Sequence, residues 1–316
     1  MTQTLGELPQ IEFGSSGSLT EAASIGSGIW KRFRKHPGAI TGSIVLIILI
    51  ALCVFAPLSP YDPEASSMDE RYQSPSWSHP MGTDALGRDL LTRVLYGGRI
   101  SLLVGLLVIG ISISIGVPVG ALAGYYGGRL DTVLMRITDT FLTLPTLLVL
   151  ILLSAILREV DFHLIERNSV LTIGLVIGIL SWMIFARLVR ASFLTIRELD
   201  FVAATRALGG SDARIILRHI LPNSIGPIIV EATLEFGYAI IEESGLSFLG
   251  FGIQPPTPSW GNLLSNAQDY FVKYPWLAVF PGLMIFLSII SVNYIGDGLR
   301  DAFDPYKMLE KVGEYI

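Results

Sequence analysis

The sequence predicts an all-α membrane protein that crosses the bilayer with about six helices. Apolar residues make up 51% of the 316 residues and charged residues only 16%, whereas a soluble domain carries about 25% charge. The apolar residues are grouped in blocks long enough for a helix to cross a hydrocarbon core about 30 Å thick. These blocks cover about 39–58, 100–126, 139–157, 170–186, 225–250 and 276–295.

The distribution of Lys and Arg predicts which helix ends face the cytoplasm. With the amino terminus inside, the cytoplasmic segments hold fifteen of the 22 basic residues and the external segments hold seven. The positive-inside rule therefore favours two cytoplasmic termini. We expect a disordered cytoplasmic tail at 1–28, a transmembrane domain at 29–305 and a cytoplasmic tail at 306–316. Within the domain we expect an external loop at 59–99 and a cytoplasmic loop at 187–224.

The sequence contains no recognisable pattern for catalysis or metal binding. No Gly-x-x-x-x-Gly-Lys-Ser/Thr run is present, so the chain has no phosphate-binding P-loop of its own. The four histidines are scattered and lack the spacing of metal ligands. Cys53 is the single cysteine, which excludes a disulfide within the chain. We therefore expect no catalytic residue, no metal, no cofactor and no nucleic acid partner for this chain.

Acidic residues inside the fifth apolar block are candidates for a polar path through the membrane. Glu231, Glu235 and Glu242 are spaced at i, i+4 and i+11, and Tyr238 at i+7 completes one stripe of a helix. Ionisable groups at bilayer depth are costly and nearly always face a cavity or a partner. The alternatives are a contact near the cytoplasmic mouth for the first two, and a solvated external interface for Glu242 and Glu243.

The polar insert between the fourth and fifth blocks is the most informative segment. Residues 197–208 favour a helix, and Gly209-Gly210 breaks it. A second helix is predicted to begin after Ser211 and to end near Pro222. Two such short helices cannot bury their apolar sides alone. They could dock into a groove on a partner, or they could lie on lipid headgroups through their arginines.

Four segments carry motifs that recur in a fixed order in a known family. In the insert, Ala203-Ala204-Thr205 is followed by Gly209 and by HILPN at 219–223. The other three segments read HPMGTDALGRDLLTRVLYGGRISL at 79–102, ESGLSFLGFGIQPPTPSWGNLL at 243–264 and GDGLRDAFDP at 296–305. Together they closely resemble the C-type permease subunit of dipeptide, oligopeptide and nickel ABC importers, and the insert resembles the EAA loop of that family.

The resemblance implies partners and a location. It implies a sister permease subunit, two ATP-binding cassette subunits that bind ATP and Mg, and an extracytoplasmic substrate-binding protein. The complex would lie in the inner membrane of a bacterial or archaeal cell. Two positions depart from the family pattern, because Ala203 replaces its glutamate and Thr205 replaces its second alanine.

The resemblance also implies a cargo of di- or oligopeptides. Nickel chelates, glutathione or another small solute remain alternatives within the same architecture. An ion-gradient-driven carrier and a structural membrane scaffold are the alternatives from other classes of protein.

The expected site residues form three groups. The insert is expected to couple to the ATPase, the fifth block to line the translocation path, and the proline-rich external segment to form an outer gate or to contact the receptor. The coupling residues are Asp200, Phe201, Ala203, Ala204, Thr205, Arg206, Gly209, His219 and Pro222; the path residues are Glu231, Glu235, Tyr238 and Glu242; the outer residues are Gln254, Pro255, Pro256 and Trp260.

Overall fold

The regular structure of the protein is helical, as the sequence predicts. The computed structural model describes residues 28–159 and 169–303, and the tails expected at 1–28 and 306–316 lie, apart from Gly28, outside these ranges. A helical turn at 28–33 comes first. The main helices are α1 (Pro37–Val54), α2 (Leu90–Tyr126), α3 (Gly128–Leu142), α4 (Thr146–Glu159), α5 (Ser169–Ile196), α6 (Asp200–Ala207), α7 (Asp212–Phe248), α8 (Trp260–Ala267) and α9 (Trp276–Phe303).

Five or six helical crossings are present in the described part of the chain. Helices α1, α2, α5, α7 and α9 are each long and apolar enough to cross a membrane. Helices α3 and α4 pass the same test as a pair, but they are bent by 87° at the break between them. The break precedes Pro145, because a proline disfavours helical backbone in the residue before it. The third block is therefore a broken helix instead of the single span expected at 139–157.

Two helices extend well beyond their apolar blocks. Helix α5 continues to Ile196, and α7 begins at Asp212. The predicted helix end near Pro222 is wrong. Residues Ile216–Ile220 form a π-helical stretch that passes directly into the span, and Pro222 falls in the first turn of the α-helix after it, where its missing N–H costs little. The second helix of the insert is therefore continuous with the fifth span.

Helices α2 and α5 make the most extensive contact in the protein. A Cβ atom on Gly116 would overlap the Trp182 carbonyl oxygen, and one on Gly120 would overlap the Ala186 carbonyl oxygen. Glycine at these two positions therefore lets the two backbones touch. Close packing of this kind supplies much of the association energy between helices in lipid, where the hydrophobic effect does not drive association.

The connecting segments gather at two opposite ends of the helical bundle. At one end, called here the Gly209 end, the loop 197–211 lies below α2, α5 and α7, and Phe33 packs on Ala302 of α9. At the other, called the Trp260 end, the long segment before α2 and the segment between α7 and α9 cover the helices. Trp260 packs there with Leu90 and Leu277.

Gly120→Ala should destabilise the fold, because the added methyl group overlaps the backbone of α5. We expect a loss of about 1–3 kcal/mol in the free energy of unfolding, measured as a lower midpoint of thermal unfolding in detergent. Gly110→Ala is the matched control on the same helix, because a Cβ atom there meets nothing within 4 Å. An unchanged midpoint for Gly120→Ala would contradict the backbone contact between α2 and α5.

Candidate functional site

The loop at 197–211, called here the elbow, protrudes from the Gly209 end. Its helix α6 is held by the fully buried side chain of Val202, which packs with apolar residues of α5 and α7. Gly209 turns the chain back with a φ of 78°, a backbone conformation that favours glycine. The Gly210 amide donates to the Thr205 carbonyl oxygen at 3.0 Å and closes the turn.

Polar contacts fasten the elbow to the end of α2. The Arg197 guanidinium donates to the carbonyl oxygens of Gly124 at 2.9 Å and Tyr125 at 3.3 Å. The Tyr125 hydroxyl donates to Asp212 at 2.6 Å, in the first turn of α7. A hydrogen bond with Tyr125 also raises the pKa of Arg206 above its usual value. The elbow is therefore attached to α2, α5 and α7 together.

Two ion pairs join α3 to α5 near the same end. Arg187 lies 2.6 Å from Asp139. Arg190 pairs with Asp131 through both of its carboxylate oxygens, an arrangement that adds geometric specificity to the charge attraction. Helix α3 is thus fixed to the helix that leads into the elbow.

The elbow and the adjoining start of α7 expose large apolar side chains. Leu208 is 89% exposed, Leu217 is 61% exposed and Phe201 is 41% exposed. A cluster of exposed apolar side chains on a polar loop is typical of a surface that contacts a partner. Among the predicted coupling residues, Asp200, Phe201, Ala203, Ala204, Arg206, Gly209 and Pro222 are exposed, and Thr205 and His219 are half-buried.

The predicted path residues of α7 lie in different surroundings. Glu235 is buried, and its carboxyl group lies close to Ser181 of α5. Glu231 and Glu242 are half-buried, and Tyr238 is 59% exposed. The four side chains therefore do not share one environment. A common role of the four residues in lining a path stays a prediction.

The predicted outer residues divide into an exposed group and a buried anchor. Gln254, Pro255 and Pro256 are exposed. Trp260 is fully buried, and its indole N–H donates to the Val94 carbonyl oxygen at 2.9 Å. In this arrangement Trp260 cannot touch a receptor, since its large apolar ring packs against α2 and holds the segment between α7 and α8 there. The three exposed residues remain the candidates for that contact.

A buried acidic centre at the Trp260 end was missed by the sequence reasoning. The alternative that placed Glu243 at a solvated interface is wrong, because its side chain is fully buried. It accepts hydrogen bonds from Ser101 of α2 at 2.8 Å and from Ser247 of α7 at 2.7 Å. The serine four residues after Glu243 was a usable signal. Ser101 and Glu243 are 142 positions apart in the sequence, so no local sequence pattern indicates their contact.

Two models of known protein families match the sequence. Residues 116–307 match the family described as binding-protein-dependent transport system inner membrane component. Residues 24–75 match the N-terminal transmembrane domain of oligopeptide transport permease C. Together with the helical fold and the elbow, these matches define a multi-span transporter subunit. The chain belongs to the family of binding-protein-dependent inner-membrane permeases.

Individual relatives match nearly the whole chain. It is 42% identical over 277 residues to the dipeptide transport system permease protein of Alkalihalophilus pseudofirmus, covering 87% of this chain and 88% of that protein. It is 39% identical over 283 residues to a di/tripeptide transport system permease protein of Pseudomonas aeruginosa, covering 87% and 90%. A glutathione transport system permease protein of Pectobacterium atrosepticum is 39% identical over 278 residues, covering 87% and 89%.

A solved structure shares the fold at low sequence identity. A chain of the MetNI methionine ABC transporter, in an inward-facing conformation, matches with a TM-score of 0.53 and 17% identity. The match covers 66% of this chain and 96% of that chain. The two chains therefore share their helical arrangement over the matched part.

Tyr125→Phe should loosen the elbow, because it removes the hydroxyl that donates to Asp212. Hydrogen bonds to charged groups contribute about 1.5–3 kcal/mol, so amide hydrogen exchange over residues 200–212 should become at least about tenfold faster. Tyr126→Phe is the control, since that neighbouring side chain is 52% exposed. Equal exchange rates in Tyr125→Phe and the unchanged protein would show that the elbow does not depend on this contact.

Proposed function

We propose that this chain forms half of the translocation path of an ATP-driven importer of di- or oligopeptides. The observation that carries the proposal is the 42% identity to a dipeptide permease over 87% of the chain. A glutathione permease is 39% identical, so glutathione, which is itself a small peptide, is the second candidate cargo. An extracytoplasmic binding protein would deliver either cargo.

The orientation of the proposed subunit follows from its basic residues. The Gly209 end faces the cytoplasm, with both termini on that side, and the Trp260 end faces outward. A sister permease completes the path. Two ATP-binding cassette subunits bind ATP and Mg and carry out hydrolysis, and this chain contributes no catalytic residue.

The elbow is the proposed docking element for an ATP-binding subunit. The exposed Phe201 and Leu208 of the elbow, together with Leu217 of the adjoining α7, would enter an apolar groove on that subunit. Ala203 replaces the acidic residue of the family, so docking of α6 relies on apolar contacts and shape. Asp200 in its first turn is the nearest exposed carboxylate.

The arginines of the insert favour a protein partner over lipid headgroups. Arg187 and Arg190 are paired with aspartates of α3. Arg197 donates to the end of α2, and Arg206 lies over the Tyr125 ring with its guanidinium carbon 5.8 Å from the ring centroid. Four of the six arginines are therefore already engaged within the chain, which weakens the attraction that an interfacial helix would need.

Transport would follow from a shift between two arrangements of the helices. Closure of the ATP-binding subunits moves the elbow and the first turn of α7. The π-helical stretch at Ile216–Ile220 joins that turn to the membrane-spanning part of α7 without an intervening loop. The ATP-binding subunits can shift this equilibrium only by the difference between their affinities for the two arrangements. In this proposal Glu231, Glu235, Tyr238 and Glu242 line or gate the path beside the sister permease.

Gly209→Pro should uncouple ATP hydrolysis from uptake. Proline fixes φ near −65°, whereas Gly209 has a φ of 78°, so the turn after α6 cannot form. We expect normal membrane insertion and at least about a tenfold loss of uptake by the reconstituted complex. Ser211→Pro is the matched control, because its φ of −69° suits proline and its side chain caps no helix. Uptake at the normal rate in Gly209→Pro would remove the elbow from the coupling mechanism.

The cargo is tested by uptake into proteoliposomes that contain the whole complex and its binding protein. We expect ATP-dependent accumulation of a labelled dipeptide, and weaker competition by glutathione or a nickel chelate. Stronger competition by glutathione would assign the second candidate cargo. Accumulation driven by a proton or sodium gradient without ATP would instead identify a secondary carrier.

A further inference from the structure

A fully buried carboxylate and three serines form a compact cluster at the Trp260 end. The cluster, called here the serine latch, consists of Glu243, Ser101, Ser247 and Ser259. Ser101 Oγ lies 2.8 Å from one carboxylate oxygen and Ser247 Oγ lies 2.7 Å from the other. Ser244 Oγ lies 3.5 Å from the same oxygen as Ser101, and Ser259 lies close to the carboxyl group. The cluster joins α2, α7 and the residue that caps α8.

Backbone amides donate to three hydroxyl groups of the serine latch. The Trp260 N–H donates to Ser101 Oγ at 3.3 Å, and the Ile253 N–H donates to Ser247 Oγ at 2.9 Å. The Asn262 N–H donates to Ser259 Oγ at 3.2 Å. Since each hydroxyl accepts from a backbone N–H, its own proton is free to point at Glu243.

Ser101 and Ser247 therefore each connect a backbone amide of one short segment to the same carboxylate. Such chains of hydrogen bonds polarise one another, which strengthens them inside a protein. The segment between Ile253 and Asn262 is also braced internally, because the Asn262 side chain donates to the carbonyl oxygens of Ile253 at 3.2 Å and Thr257 at 2.8 Å. It is thus a preformed unit that Glu243 holds through these two serines.

The unit held by the latch covers the outer end of the helices. Trp260 is its largest side chain, and it lies over Gly98 of α2 together with Cys53 of α1, since a Cβ atom on that glycine would meet both. Both side chains are buried. Lifting the segment would remove Trp260 from this contact and would open α1, α2 and α7 to one another.

Glu243 lies on the same helix as the elbow, at its opposite end. Asp212 begins α7, and 31 residues of helix separate it from Glu243, a distance of about 45 Å. A rigid displacement that starts at the elbow therefore reaches the serine latch along one continuous element.

We propose that Glu243 is a positioning residue that latches the outer end of the translocation path closed. It acts through Ser101 and Ser247 on the segment between Ile253 and Asn262. The inference rests on the proposed import function, in which the Trp260 end opens outward once in each cycle. A buried polar cluster suits this task, because its geometry specifies one closed position more sharply than apolar packing does.

Glu243→Gln is the sharpest test, because it keeps the shape and removes one acceptor. The amide group would point an N–H at one serine hydroxyl, which can accept it only if its own proton turns away from residue 243. At least one relay is therefore lost. Ser101→Ala removes a single relay from α2 and serves as the second variant. Ser288→Ala is the matched control, because this buried hydroxyl has no hydrogen-bond partner within the described ranges.

The assembled complex offers two readouts. The first is the rate at which N-ethylmaleimide labels Cys53, the single cysteine of this chain, followed by mass spectrometry of the peptide that contains it. The second is the ATPase rate without the binding protein. We expect Glu243→Gln to raise the labelling rate about tenfold, as loss of a hydrogen bond to a charged group predicts, and to raise the receptor-independent ATPase rate as well. Ser101→Ala should raise both less, and Ser288→Ala should change neither.

Two outcomes would overturn the proposal. One is labelling of Cys53 in assembled Glu243→Gln complex at the rate of the unchanged protein. The other is faster labelling with a lower ATPase rate, which would show that the cluster only stabilises the fold. Labelling requires no transported cargo, so failure of peptide uptake would overturn the proposed function and leave the test of the latch intact.

Discussion

The contact between α2 and α5 is the constraint on which both functional ends depend. Glycines at 116 and 120 bring the two backbones together, and helix association in lipid relies on such packing. Helix α2 carries Ser101 toward one end and Tyr125 at the other. If this contact loosened, the elbow and the serine latch would lose their shared frame. The long α2 helix is therefore the element that the two ends share.

The elbow is firmly attached to the helices, and it also exposes apolar side chains. Arg197, Tyr125 and Asp212 connect it to three helices, while Leu208 remains almost fully exposed. Rigid attachment without a partner would serve only stability, and an exposed apolar tip without rigid attachment would bind but transmit little. Both features together are what a coupling element needs. The replacement of the family glutamate by Ala203 is compatible with this division, because Val202 anchors α6 and the tip is apolar.

The sequence predicts the helical class, the number of crossings and the position of the elbow, because these depend on local composition. Blocks of apolar residues set the crossings, and Gly209 marks a backbone conformation that other residues avoid. It fails for the helix end expected at Pro222, because the preceding π-helical stretch makes proline tolerable in a continuous helix. The sequence also fails to predict the surroundings of Glu243, since its hydrogen-bond partner Ser101 lies far away in the chain. Local patterns carry no information about such partners.

The short length of α1 makes the protein sensitive to the bilayer around it. Its 18 residues reach only about 27 Å, slightly less than a typical hydrocarbon thickness, whereas α2 has 37 residues and must tilt or protrude. Mismatch of this kind is relieved by thinning the bilayer or by shifting the helix, at a modest cost for each ångström. Because Cys53 near the end of α1 packs over Gly98 beside Trp260, the acyl-chain length of the surrounding lipids helps to set how firmly the Trp260 end is packed.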